Sequence, residues 1–158
     1  MTYALAGIGS LALVSLWHPE QTGGGSSDAV AGLVGALAVL LAVDVPTRHH
    51  RAHWPAQVYS VFFASYLATL DVGGLWWSIV IGNLSILAVF MARRALTPAA
   101  LARACCALVC LAGLLMAWQH DGHGTGILTG IAGALIVLTW RRSRTGGQGT
   151  TSAAASPA

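Results

Sequence analysis

Residues 74–94 read GLWWSIVIGNLSILAVFMARR. Two tryptophans open the stretch, no charge interrupts it, and an arginine pair closes it. About 20 apolar residues are the length of a membrane-spanning helix. Indoles gather at membrane interfaces and arginines mark the cytoplasmic end of a span. The stretch therefore reads as a helix that starts outside and ends inside.

The rest of the chain follows the same plan. Apolar blocks cover residues 2–17, 29–45, 56–70, 74–92, 98–118 and 126–140. Only 8% of the 158 residues are charged and 56% are hydrophobic, whereas soluble domains carry about 25% charged residues. A mean hydropathy of +0.70 agrees. The opening segment, MTYALAGIGSLALVSLW, has no basic start and no A-x-A-like cleavage site, so it reads as a retained first span. The blocks at 2–17, 56–70 and 126–140 are short, and bilayer thinning absorbs such mismatch; six spans is the expectation, and four spans with two re-entrant or interfacial segments is the alternative.

Every basic residue is an arginine, and their positions set the orientation. Arg48 and Arg51 follow the second block, Arg93, Arg94 and Arg103 flank the fourth and fifth, and Arg141, Arg142 and Arg144 follow the sixth. With six spans all three groups share one face, which the positive-inside rule makes cytoplasmic. Glu20, Asp28, Asp71 and Asp121 fall in the opposite loops; Asp44 does not. The net charge of +3 is thus spent on topology. A nucleic-acid interface would need a basic stripe on a folded surface, and none is expected.

The expected fold is all-α: a polytopic membrane protein of six short transmembrane helices, arranged as three helical hairpins, with both termini cytoplasmic. Residues 1–144 form the transmembrane domain and 145–158, TGGQGTTSAAASPA, a disordered tail. Asp28 and Thr125 are read as N-caps of the second and sixth spans, and Thr97 as the cap before Pro98. Pro46 and Pro55 are expected to bracket a loop at 47–54. A faint repeat, G-A-L-x-V-L-like at Gly35, Gly82 and Gly133, suggests that the hairpins share an ancestral unit. In glycine placement and hydropathy the chain loosely resembles bacterial acid-resistance membrane proteins of the HdeD type. Trp17-His18-Pro19 is similar to the end of the first helix in two-helix SPW-repeat proteins, although the SPW order is absent.

Candidate chemistry is sparse. His18, His120, Asp121 and His123 lie in the outer loops, and imidazole with carboxylate suits Zn²⁺ or Cu²⁺; the plainer alternative is that they solvate short turns. Cys105, Cys106 and Cys110 form a thiol set within one span, suited to a soft metal or simply to apolar packing. His49, His50 and His53 add titratable positive charge inside. Asp44 lies beside an interface, and Asn83, at mid-span, is expected to bond a neighbouring helix. Gly126, Gly130 and Ala134 form one small-residue face, and Gly32, Gly35 and Ala36 another, both read as internal packing surfaces.

No paired carboxylates, nucleophile–base set or cofactor motif appears, so an enzyme is not the leading expectation and no cofactor is expected. The expected function is that of a small bacterial inner-membrane protein with a structural, accessory or stress-related role. Its expected partners are the lipid bilayer and a membrane-protein partner or further copies of itself. The alternative is a metal-ion or small-solute transporter using the outer histidine loops.

Overall fold

The computed structural model describes residues 26–43 and 50–146, and nearly all of them are helical. The helices are α1 (Ser26–Val43), α2 (His50–Ala95), α3 (Pro98–Trp118) and α4 (Gly122–Gly146). The block at 2–17, Asp44, His49 and the segment 147–158 lie outside the described residues, as do His18 and Glu20.

The long α2 is two arms. At Gly74 the backbone takes φ 70° and ψ −179°, a region essentially restricted to glycine. A side chain there would meet no neighbouring atom, so conformation and not space requires the glycine. Beyond it the second arm runs back along the first. Trp54 meets Phe90 edge-on at 5.2 Å between ring centroids. The Phe62 ring lies against Gly82, and the Ser65 and Ser85 hydroxyls are 3.0 Å apart.

α3 follows after a two-residue joint, Leu96–Thr97. Thr97 caps it as expected, its hydroxyl accepting the Ala100 N–H at 3.3 Å, with Pro98 in the first turn. α4 packs antiparallel to α3, Ile127 against Gly113 and Gly124 against Met116 and Ala117. α1 runs parallel to α4, and here the backbones touch. A Cβ on Gly126 would lie 2.5 Å from the Asp28 carbonyl oxygen, one on Gly130 would overlap the Gly32 carbonyl, and one on Gly35 the Ile127 carbonyl. The two small-residue faces of the sequence are thus each other's partners, and Ala36 and Ala134 extend the contact into a buried cluster with Val39.

Three helices are long and apolar enough to cross a membrane: Val72–Ala95, Pro98–Trp118 and Gly122–Ser143. Ser27–Val43 is a shorter apolar helix. The first arm of α2, with Gln57, Tyr59, Ser60, Ser65, Tyr66 and Thr69, is not among them. The protein is therefore an all-helical, membrane-embedded one, and the described helices do not by themselves amount to six crossings or three equivalent hairpins. Gly35, Gly82 and Gly133, which the repeat aligns, stand in unlike surroundings: carbonyl, aromatic ring and open space.

Three local expectations need correction. Pro55 does not bound a loop, because α2 begins at His50 and carries the proline inside. So near a helix start the backbone bond that proline removes is one of few, and the helix continues. Thr125 is not the cap of α4, which starts three residues earlier; its hydroxyl donates back to the Gly122 carbonyl at 2.7 Å. Asp28 lies within the first turn of α1, not ahead of it. At the other end, α4 runs through Thr145 to Gly146, two residues into the expected tail.

Exposed side chains on α2, α3 and α4 are mainly large and apolar, as lipid contact requires. Trp76, Trp77 and Trp118 are exposed near the Gly74 turn and the end of α3, and Trp140 near the end of α4. At the opposite end from Gly74, the Arg93 guanidinium stacks over Trp54 and Phe90, 5.3 Å from each ring centre.

Candidate functional site

The turn between α3 and α4 builds the main polar feature. α3 ends in a six-to-one closure: Asp121 N–H donates to the Met116 carbonyl at 3.0 Å, and His120 N–H to the Ala117 carbonyl at 3.1 Å. His120 supplies the left-handed residue, φ 62°, a place usually taken by glycine and tolerated by histidine more often than by most residues. This closure leaves Asp121 in position to cap α4. Its Oδ1 accepts the His123 backbone N–H at 3.0 Å and stands 2.8 Å from His123 Nδ1.

The other ring nitrogen, His123 Nε2, faces Asp28 Oδ1 of α1 at 3.9 Å. Asp28 comes there because the parallel glycine contact brings the first turns of α1 and α4 side by side. Its side chain is 6% exposed, against 29% for His123 and 14% for Asp121. Both carboxylates sit at helix N-termini, where the backbone dipole favours negative charge. A cationic imidazole in the first turn of α4 opposes that dipole, and the two carboxylates offset it.

Burial pushes the Asp121 carboxyl up, but the hydrogen bonds from the His123 ring and backbone, with the attraction of that ring, outweigh burial and hold it below its ordinary value. A depressed carboxyl favours the folded state above the ordinary carboxylate range, about pH 4, and that contribution disappears as pH falls through the folded value. Thermal unfolding of the detergent-solubilised protein across this range should therefore show an acid limb that is shallower in Asp121→Asn. An unchanged limb would remove this account of the turn.

Of the four residues proposed to hold a metal, the structure brings Asp121 and His123 together, leaves His120 in the turn before them, and does not describe His18. No group of three potential ligands is present among the described residues. Asp121 acts as the partner that fixes the ring, and Asp28 as the group the ring addresses. The sequence offered no signal for that pairing, since it depends on a helix crossing between distant segments.

The remaining candidates are placed as follows. Cys105 is buried in the core with Leu101 and Val109, while the half-buried Cys106 packs on Ala36, Val39 and Ala134. Cys110 is half-buried, and all three thiols are free. Asn83 departs from expectation: it is exposed, and its amide donates to its own helix, to the Ile79 carbonyl at 2.7 Å. His50 and His53 fall in the first turns of α2 and not in a loop.

Comparison with protein-family models, curated proteins and solved structures finds no match to this chain.

Proposed function

We propose that the protein has a non-enzymatic accessory or structural role in the bilayer, exerted through lateral contact of its helices. The observation that carries this is the uneven covering of its spans. Only 17% of the Val72–Ala95 span is buried, against 33% for Pro98–Trp118 and 39% for Gly122–Ser143. A peripheral helix so little used by its own bundle is free to pack on another protein. In this reading the chain makes six passes in a bacterial inner membrane, with both termini and the arginine clusters on the cytoplasmic side. The alternating helix directions support it: Arg93 and Arg94 end α2 and Arg141 and Arg142 lie at the end of α4, whereas Asp28 and Asp121 lie at the starts of α1 and α4. Purification in mild detergent should recover the chain in a stoichiometric complex, and a clean monomer would sink the proposal.

A second reading, cation transport, is favoured by one arrangement. A ligating histidine commonly has its other ring nitrogen held by a carboxylate; here Asp121 Oδ1 stands 2.8 Å from His123 Nδ1, and His123 Nε2 faces Asp28 Oδ1 at 3.9 Å. The apolar groove of about 230 Å³ between the α2 arms and α3, walled by residues such as Val61, Ala64 and Leu111, offers a cation no charged group. This reading therefore rests on the rim alone. It requires Zn²⁺ flux into vesicles that falls at least tenfold, on the order of one lost ligand, in Asp28→Asn and His123→Ala. Equal flux in wild type and variants removes it.

A further inference from the structure

We propose that the second arm of α2 is the dimer interface of this protein, with Asn83 of one copy hydrogen-bonded to Asn83 of the other. The proposal rests on the lateral-contact reading and names its partner as a second copy of the chain.

The first ground is the position of the amide. Asn83 lies at the middle of Val72–Ala95 and is exposed on the outside of the bundle. At that depth its surroundings are hydrocarbon, where a polar group without a partner is costly. An amide offers two N–H donors and a carbonyl acceptor. One donor is used on Ile79, and among the described residues nothing else reaches the rest.

The second ground is the pattern around it. Trp76, Val80, Asn83 and Leu87 are spaced by four, three and four residues, and all four are exposed. This is the a/d spacing of a two-stranded coiled-coil seam, and it puts Asn83 among the residues that would face a second helix. The inward side of the same arm is already occupied, Gly82 by Phe62 and Ser85 by Ser65. The seam therefore faces away from the bundle.

The third ground is self-complementarity. Two copies in one membrane share orientation, so a two-fold axis along the membrane normal places equal depths opposite each other. Asn83 then meets Asn83, and each amide supplies the donor and the acceptor that the other lacks. An unrelated helix would need its own polar residue at this depth.

Cysteine cross-linking tests this in native membranes. With Cys105, Cys106 and Cys110 replaced by alanine, single cysteines at Val80, Asn83 and Leu87 should oxidise to a product of twice the 16.3 kDa chain mass. Ala88→Cys, exposed but about 120° around the helix from the seam, should not. In the otherwise native chain, Asn83→Leu should weaken self-association by about threefold to tenfold, the range for interhelical hydrogen bonds in membranes, and Asn83→Gln should largely preserve it. A seam product of another mass would overturn the homodimer while leaving the lateral-contact reading standing. No product at any seam position, as expected if residues 2–17 of the same chain covered the arm, would overturn the inference, and the complex recovered in mild detergent would then judge the broader reading by itself.

Discussion

Gly130→Ala is expected to be the most damaging single-methyl change in the described bundle. The added carbon falls on the Gly32 carbonyl of α1, a backbone atom that cannot rotate aside. Relief requires α1 and α4 to separate along their whole contact, which also releases Gly35 from Ile127 and Gly126 from Asp28. Overpacking of ordinary cores costs about 1–3 kcal/mol and occasionally more, and backbone-on-backbone contact puts this case at or above the upper end. Gly133→Ala on the same helix is the control, because a methyl there meets nothing. It should be neutral or stabilising by up to about 1 kcal/mol from helix propensity. Thermal unfolding in detergent compares the two, and equal melting temperatures would falsify the glycine crossing.

Ile127→Ala should have the next largest effect. Ile127 is fully buried and stands where three helices meet, its carbonyl under Gly35 of α1 and its side chain against Gly113 of α3. Truncating such a residue costs about 2–5 kcal/mol in soluble cores. In a bilayer the transfer contribution is small, since lipid is as apolar as the interior, and what is lost is mainly packing. The lower half of that range is therefore expected. Ile136→Ala, on the exposed side of α4, should shift stability by less than about 0.5 kcal/mol. If both substitutions behave alike, the core has been misplaced.

Much of this arrangement was legible in the sequence, and the failures have identifiable causes. α3 was readable to the residue because Thr97, Pro98 and the turn after Trp118 all act locally. The glycine faces on α1 and α4 were readable because small residues three and four apart in an apolar run have few uses besides close approach. The cap of α4 was misread because Thr125, like Asp121, is of a residue type that caps helices. The choice falls to Asp121 once the closure at His120 aims its carboxylate at the next turn. Asp28 was assigned to a cap because its approach to His123 depends on the crossing of parallel helices, which no local pattern encodes. Asn83 was expected to bond a neighbouring helix, and only the direction in which the second arm of α2 faces places it outside, bonded to its own helix. The count of crossings stayed open for a related reason: the first arm of α2 is helical but carries enough hydroxyl and amide groups to fall short of a lipid-facing composition.

The reversal at Gly74 bears on how the chain enters a membrane. The two arms of α2 are joined by no more than Asp71-Val72-Gly73-Gly74, and their rings and hydroxyls already face each other across the fold. Inserted separately, the first arm would show its serines, threonine and glutamine to lipid. Inserted as a pair, it shelters part of that polar side against its neighbour. A substitution at Gly74 that opens the turn should thus be felt first during biogenesis, as a protein left with its first arm outside the hydrocarbon, before any loss of stability in the finished fold.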